Sequence, residues 1–245
     1  MIKRIFDILV SGVGLIAASP ILLPAMLAVW LQDRKSPFYI APRVAKGGSM
    51  FRMVKLRSMV VGADKNKVDS TSASDARITP IGHFIRKFKL DELTQLWNVF
   101  KGDMSLIGPR PNVKRETDLY TTEEQRLLTV RPGVTDLASI VFSDEGDILE
   151  GSADPNLDYN QLIRPWKSRL SLFCIAHSSL GLDIRLIALT AVAILNKEKA
   201  LKGIGSLLRK LGADEELIRA ASRMHPLVPT PPPGATEVVA SRGES

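Results

Sequence analysis

Two adjacent carboxylates, Asp91 and Glu92, are the side chains in this sequence best suited to chemistry. An ionised carboxylate can act as a nucleophile or bind Mg²⁺, and an arginine fork grips phosphate at two points. Arg110 follows the pair between two prolines, whose restricted backbone makes a stiff loop. The combination predicts phosphoryl transfer, although an acidic pair at a helix start most often only caps the helix. The basic residues just before the pair are Arg86, Lys87 and Lys89.

The elements that position this pair can be predicted from local patterns. Thr79-Pro80 combines a hydroxyl cap with a first-turn proline, which predicts a helix from there to about Lys87. A second helix is expected to begin near Asp91 and to end at the basic last turn and glycine of Lys101-Gly102. Both carboxylates would then occupy its first turn, where free backbone N–H groups favour negative charge. Its apolar stripe at helical spacing consists of Leu93, Leu96, Trp97 and Phe100.

The rest of the chain reads as short elements and loops. Residues 51–59 predict a short strand after a glycine turn, and residues 62–74 predict a polar loop. A short helix is expected over 123–130, and the acidic stretch 132–163, which holds no basic residue, is interpreted as a solvated loop. Helices are expected after Pro165. The amphipathic segment 197–211 would lie either on an anionic surface or against the protein body.

The N-terminal segment is apolar over a length that could cross a bilayer. Residues 8–31 hold no charged side chain, which suffices for a hydrocarbon core of about 30 Å. Ser19 and Pro20 lie at the middle of this run, where proline predicts a kink or break. Basic residues flank both sides, so the preference for positive charge on the cytoplasmic side slightly favours a re-entrant helix over a kinked span. A cleaved signal peptide is disfavoured because the apolar run continues past Pro20.

Composition excludes several other classes of protein. The 245-residue chain is 45% hydrophobic and 24% charged, which is typical of a globular protein. Its net charge of +7 predicts an anionic partner, but basic and aromatic residues do not alternate as a nucleic-acid binder would need. One cysteine, Cys174, rules out an internal disulfide, and three dispersed histidines argue against a zinc site. The phosphate-binding and hydrolase motifs GxxxxGK[ST], GxGxxG and GxSxG are absent from the sequence.

Several motifs together resemble the bacterial sugar transferases, specifically the small monotopic phosphoglycosyl transferases. The motifs are KLRSM at 55–59, LDELTQLWNV at 90–99 and GDMSLIGPRP at 102–111. The resemblance begins at KRIFD (3–7), includes Ser19-Pro20, and continues through RPGVT (131–135) to about residue 200. It implies a re-entrant membrane helix broken at Ser19-Pro20, with both ends on the cytoplasmic face of the bacterial inner membrane.

The resemblance also implies a reaction. Asp91 would attack the sugar-proximal phosphate of a UDP-sugar and expel UMP, leaving a covalent phosphosugar that undecaprenyl phosphate then accepts. Glu92 would assist as a metal neighbour or a base, and Mg²⁺ would lie at Asp91. The expected phosphate-binding residues are Lys55, Arg57, Arg86 and Arg110. Membrane lipids and downstream glycosyltransferases are the other expected partners.

The expected fold is α/β but mostly α, with little strand content and amphipathic surface helices. We expect a re-entrant helix over 1–35 and a catalytic domain over 36–200. An amphipathic helical region over 198–222 and a disordered proline-rich tail over 223–245 would follow. Two other functions stay open: a membrane-bound, magnesium-dependent hydrolase of nucleotide sugars that uses the same carboxylates, and a non-catalytic membrane scaffold.

Overall fold

The computed structural model of the protein describes residues 2–63 and 75–240. The predicted loop at 62–74 therefore lies almost entirely outside the described residues. The α-helices are α1 (Ile2–Asp33), α2 (Pro80–Lys87), α3 (Leu90–Leu93), α4 (Leu96–Lys101), α5 (Lys114–Thr117), α6 (Leu137–Val141), α7 (Glu145–Ile148), α8 (Pro155–Asp158), α9 (Arg164–Ala176), α10 (Leu180–Leu195), α11 (Lys197–Lys210) and α12 (Glu215–Ser222). The strands are β1 (Phe38–Val44), β2 (Met50–Leu56), β3 (Ser105–Ile107) and β4 (Gly133–Thr135).

The strands form two small sheets, which confirms a mostly helical fold with little strand content. Strands β1 and β2 pair as an antiparallel hairpin, with Phe38 opposite Leu56 and Val44 opposite Met50. Gly47 and Gly48 turn the hairpin with φ of 71° and 78°, as the sequence predicts. Strands β3 and β4 pair in parallel, and the main hydrophobic core lies between them and the helices α6, α9, α10 and α11.

Helix α1 lies lengthwise along the rest of the protein. Its inner face buries Asp7, Ser11, Leu22 and Val29. Its outer face exposes large apolar side chains, including Ile5, Leu9, Val13, Ile16, Leu23 and Leu27. Among the described residues, α1 is the one helix long and apolar enough to cross a membrane.

The predicted break at Ser19-Pro20 is not confirmed. The helix continues through Pro20 and Pro24, and the Ser19 hydroxyl donates to the Ile16 carbonyl oxygen at 2.7 Å. That bond occupies a carbonyl near the point where proline removes a backbone donor. The re-entrant course of the helix stays a prediction.

Polar contacts fasten both ends of α1 to the same body. Near the N-terminal end, the Asp7 carboxylate accepts hydrogen bonds from the Ser105 hydroxyl (2.9 Å) and the Leu106 backbone N–H (3.1 Å). At the C-terminal end, the Asp33 carboxylate accepts two bonds from the Arg57 guanidinium, at 2.6 and 2.7 Å. The helix therefore contacts the body on either side of its prolines.

The helices around the carboxylate pair follow the sequence closely. Helix α2 has the predicted bounds, and the Thr79 hydroxyl caps it by accepting the Gly82 N–H at 2.9 Å. The expected second helix consists of two short ones, α3 and α4, which meet at Thr94 and Gln95. Its predicted apolar stripe is not a core face throughout, because Trp97 and Phe100 are 50% and 42% exposed.

The interpretation of residues 132–163 as a solvated acidic loop is wrong. This stretch folds into β4, α6, α7 and α8, and two of its acidic side chains form ion pairs with later elements. Glu145 pairs with Lys167 of α9 at 2.7 Å, and Asp144 pairs with Lys197 at the start of α11. Charge composition alone could not show this, because both basic partners lie beyond the acidic run.

The C-terminal region packs against the body. Helix α11 buries Ala200, Ile204, Leu207 and Leu208, so its apolar face is turned inward. Residues 223–240 form no helix or strand, as their composition suggests, yet they are not free of the body. The Thr230 N–H donates to the Gln161 carbonyl oxygen at 3.0 Å, and Pro232 and Pro233 are buried. Proline loses little conformational freedom on ordering, which favours such packing.

Candidate active site

Asp91 and Glu92 lie in the first turn of α3, mostly buried, and each carboxylate faces a different cation. The Lys55 ammonium lies 3.6 Å from Asp91 Oδ2. The Arg110 guanidinium donates to Glu92 Oε1 at 2.7 Å. Neighbouring helical positions point about 100° apart. The two acids therefore contact cations from separate elements, β2 for Lys55 and the loop after β3 for Arg110.

Two side chains, Thr94 at the end of α3 and Asn98 of α4, hold the backbone just before Lys55. The Thr94 hydroxyl donates to the Val54 carbonyl oxygen at 3.1 Å. The Asn98 amide accepts from the Val54 N–H at 2.9 Å and donates to the Arg52 carbonyl oxygen at 2.8 Å. Both side chains are buried. They replace a neighbouring strand along β2 and fix the register of Lys55 against Asp91.

Arg110 is positioned by a close backbone crossing. A Cβ atom on Gly133 would lie 2.1 Å from the Gly108 nitrogen, so no larger residue fits there. The Gly133 N–H also donates to the Pro109 carbonyl oxygen at 2.8 Å. The parallel pair of β3 and β4 thus ends directly at the loop Gly108–Pro111, and the flanking prolines keep that loop extended.

The surrounding cations keep Glu92 ionised. Burial alone would raise the pKa of the Glu92 carboxyl. The charges of Arg110, Lys55 and Lys89 outweigh that effect and lower its pKa from 4.5 to about 2. Burial, together with the charge of Arg110, lowers the pKa of Lys55. The site therefore holds an anionic Glu92 within a group of positive charges.

One oxygen in the site lacks a protein partner. Asp91 Oδ1 is buried, and among the described residues it accepts no hydrogen bond. An orphaned carboxylate oxygen is the ligand type that Mg²⁺ prefers, and Mg²⁺ commonly takes one or two carboxylates and completes its shell with water and substrate phosphates. The same oxygen is free to act as a nucleophile. The donor set at Asp91 fits a magnesium ion.

The structure brings together some of the residues named from sequence and separates others. Lys55 and Arg110 contact the carboxylate pair. The Arg57 side chain is instead occupied by Asp33 and by the Ser36 carbonyl oxygen. The structure shows no contact between Arg86 and the carboxylates, and its charge acts on Asp75. Substrate binding by these four cations stays a prediction.

Three further charged residues lie next to the site. Lys89 is predicted from the sequence as a basic neighbour of the pair, whereas Glu145 and Lys167 are not predicted to belong to the site. Lys89, which adopts the left-handed conformation with φ of 54°, donates to the Ser143 carbonyl oxygen at 3.2 Å. Glu145 and Lys167 form an ion pair whose charges act on Arg110. Lys89 thus connects the carboxylate pair to the start of α7. Sequence alone carried no signal for this, since the contacting residues are more than 50 positions apart.

Comparison with known proteins places these features in a family context. The profile of the family described as Bacterial sugar transferase matches residues 1–197. An uncharacterized sugar transferase of Haemophilus influenzae is 34% identical over 215 residues, which is 82% of this chain and 42% of that protein. The UDP-glucose:undecaprenyl-phosphate glucose-1-phosphate transferase of Klebsiella pneumoniae is 35% identical over 193 residues, 77% of this chain and 39% of that protein.

A shorter relative matches over a larger share of its own length. The putative undecaprenyl-phosphate N-acetylgalactosaminyl 1-phosphate transferase of Bacillus subtilis is 42% identical over 122 residues, which is 50% of this chain and 68% of that protein. Against the relatives from Haemophilus and Klebsiella, the chain spans about two fifths of their length.

Proposed function

Because the chain belongs to the bacterial sugar transferase family, we propose that it transfers a sugar-1-phosphate from a UDP-sugar to undecaprenyl phosphate. The observation that carries the proposal is the buried, unpartnered Oδ1 of Asp91 between two cation-bearing elements. The names of the relatives, which include glucose, galactose and N-acetylgalactosamine phosphate transferases, support this class of reaction. Their variety leaves the sugar of this chain open.

In the first proposed step, an Asp91 oxygen attacks the sugar-proximal phosphorus of the donor. A new phosphorus–oxygen bond forms, the bond to the bridging oxygen breaks, and UMP leaves with that electron pair. In the second step, a phosphate oxygen of undecaprenyl phosphate attacks the same phosphorus and releases the Asp91 carboxylate. The products are undecaprenyl-diphosphate sugar and UMP, which would begin the assembly of a cell-surface glycan.

Charge neutralisation is the main demand of both steps, since an anion attacks an anion. Lys55 and Arg110 would contact the phosphate oxygens as charge builds on them. Glu92, with a pKa of about 2, is a weak base in the resting site. We propose that its main task is to hold the Arg110 guanidinium in place. Mg²⁺ bound at Asp91 would add a further positive charge next to the reacting phosphates.

A lipid acceptor requires a site at the membrane surface. The fastening of both α1 ends to one body supports the re-entrant arrangement, because a straight span would carry one end away across about 30 Å of hydrocarbon. We propose that α1 enters and leaves the bacterial inner membrane on its cytoplasmic face. Nucleotide sugars are available on that face.

The test is UMP release by the full chain in detergent, with Mg²⁺, undecaprenyl phosphate and a panel of UDP-sugars. Asp91→Asn should lower UMP release at least about 1,000-fold, as expected when a nucleophile is removed. Asp118→Asn is the matched control, because Asp118 is an exposed aspartate that pairs with Lys114. Full activity of Asp91→Asn would contradict the covalent mechanism. UMP released together with free sugar phosphate, without a lipid product, would indicate a hydrolase instead.

A further inference from the structure

Arg43 lies on the face of the β-hairpin that is turned toward the carboxylate pair. Residues directly opposite each other on paired strands share a face, and Arg43 is opposite Phe51, while Tyr39 is opposite Lys55. Ala41 and Met53 lie between these pairs on the same face and are buried. Arg43 is therefore an inward-facing charge two positions away from a buried core residue.

The Arg43 guanidinium is not paired with a carboxylate among the described residues. Its Nη1 donates to the Pro42 carbonyl oxygen at 2.9 Å, and it interacts with Tyr39. The positive charges of Arg110 and Arg115 repel it, and Tyr39 offsets part of that repulsion. Burial and this repulsion both lower the pKa of Arg43. A half-buried cation beside other cations is unfavourable unless an anion joins it.

Arg43 is a further cation beside the two that already pair with the carboxylates. Lys55 faces Asp91, and Arg110 is bonded to Glu92, so each carboxylate already has a partner. Arg43 acts electrostatically on Lys55 and Arg110 and adds a third positive charge to the two. Strand β1 continues past Arg43 to Val44, whose N–H donates to the Asn112 carbonyl oxygen at 2.9 Å. This bond brings the end of β1 to the loop that carries Arg110.

We propose that Arg43 binds a phosphate group of the substrate together with Lys55 and Arg110. The inference rests on the proposed function, since it assigns a further binding residue to that site. An arginine suits the position because its planar fork can donate two parallel hydrogen bonds to phosphate oxygens. A phosphate dianion would remove the mutual repulsion of the three cations.

The phosphate can come from two sources, the donor's diphosphate or the lipid acceptor. The donor and the acceptor both present phosphate oxygens, and measuring each half-reaction by itself distinguishes the two sources. UMP released once per enzyme without lipid reports the donor half-reaction, in which the acceptor takes no part. The KM for undecaprenyl phosphate during turnover reports the acceptor. Arg43 is a binding residue in either case.

The variants are Arg43→Gln, which removes the charge, and Arg43→Lys, which keeps the charge and removes the fork. Arg52→Gln is the matched control, because Arg52 lies on β2 of the same hairpin but on its exposed outer face. The first measurement is binding of inorganic pyrophosphate to the full chain in detergent by calorimetry. Arg43→Gln should weaken this binding about tenfold or more, and Arg43→Lys should weaken it less. Arg52→Gln should stay within about twofold of the parent because only net charge changes.

The kinetic measurements decide the source and can overturn the proposal. A slower UMP burst for Arg43→Gln assigns the donor diphosphate, and a raised KM for the lipid assigns the acceptor. If Arg43→Gln binds pyrophosphate as tightly as the parent and leaves both kinetic values unchanged, the proposal is wrong. Unfolding midpoints matched to the parent exclude a folding defect. Pyrophosphate binding that depends on Arg43, without UMP from any donor, would contradict the proposed function and leave this inference standing.

Discussion

Asp91 and Glu92 both carry a carboxylate, but their oxygens differ in what they contact. Glu92 bonds to Arg110, and this contact fixes it as an anion. Asp91 keeps one buried oxygen without a donor. In the proposed mechanism, Asp91 is the nucleophile and Glu92 orients the Arg110 guanidinium. The two adjacent acids can have separate tasks because their side chains leave the helix in different directions.

The low pKa of Glu92 predicts a pH-dependent share of stability. Its folded pKa of about 2 lies below the ordinary value of 4.5, so its contribution is present above pH 4.5 and is lost as the pH falls toward 2. Glu92→Gln should lower the unfolding midpoint at pH 7, because the free energy of unfolding should fall by an amount on the order of 2 kcal/mol. The difference from the parent should shrink between pH 4.5 and 3.

This is measured by thermal unfolding in detergent across that pH range. Glu150→Gln is the control, because Glu150 is exposed just after α7 and should leave the midpoint near that of the parent throughout. A Glu92→Gln difference that is as large at pH 3 as at pH 7 would contradict the assignment of the low pKa.

Among individual residues, the sequence predicted the carboxylate pair and the two cations that contact it. Asp91, Glu92 and Arg110 carry local signals, an acidic helix start and a proline-bounded arginine. Arg57 and Lys55 are two residues apart on the chain and look alike, yet Arg57 contacts Asp33 and Lys55 contacts Asp91. Their separation depends on where α1 ends, which is a tertiary fact without a local pattern.

Among the elements, helix α1 is connected to both strands that supply cations to the site. Its N-terminal part holds β3 through Asp7, and β3 leads to the Arg110 loop. Its C-terminal end holds β2 through Asp33 and Arg57, and β2 carries Lys55. A shift of α1 would therefore act on both sides of the carboxylate pair. Hydropathy predicts the apolar length of such a helix but not its contacts with distant strands.

The re-entrant arrangement predicts that both ends of α1 are accessible from one side of the membrane. Single cysteines replace Ile2, which is 71% exposed, and Lys35, in a Cys174→Ala background. A third cysteine at the exposed Lys210 marks the side of the body. In sealed, oriented vesicles, a membrane-impermeant maleimide should label all three from the same side.

The orientation of the vesicles is read from the body marker in the same preparation. If Ile2→Cys is protected where Lys35→Cys and Lys210→Cys are labelled, α1 spans the membrane. In that case α1, which continues unbroken through Pro20, would be a transmembrane helix.

At the scale of the whole molecule, exposed aromatic side chains lie on or at the end of α2 and α4, two of the helices that contact α1. Trp97 and Phe100 of α4 stack with ring centres 6.0 Å apart, and Phe100 packs beside Gly12 of α1. Phe84 and Phe88 pair at 4.8 Å at the end of α2. Aromatic residues at this density on a surface are typical of contact with a membrane interface. The sequence predicted an apolar stripe on this helix, but periodicity alone cannot tell a lipid-facing stripe from a buried one.

This surface predicts that Trp97 contacts lipid. The share of the fluorescence that comes from Trp97 is the difference in emission between the parent and Trp97→Phe. In vesicles containing brominated phosphatidylcholine this share should be strongly quenched, because bromine quenches indole only at short range. The control is Trp166→Phe, since Trp166 is 6% exposed in the core and its component should be unquenched. Equal quenching of the two components would contradict a membrane-facing α4.

The fastening of α1 also constrains the order in which the protein can be assembled during translation. Asp7 precedes its hydrogen-bond donors Ser105 and Leu106 by 98 and 99 residues, and Lys3 precedes Asp183 by 180. At a synthesis rate of roughly 5–20 residues per second, the helix waits several seconds or more before these partners leave the ribosome. During that interval its outer apolar face is the surface able to hold it in place. The catalytic body would thus be built onto a helix already resident in lipid, from the membrane outward.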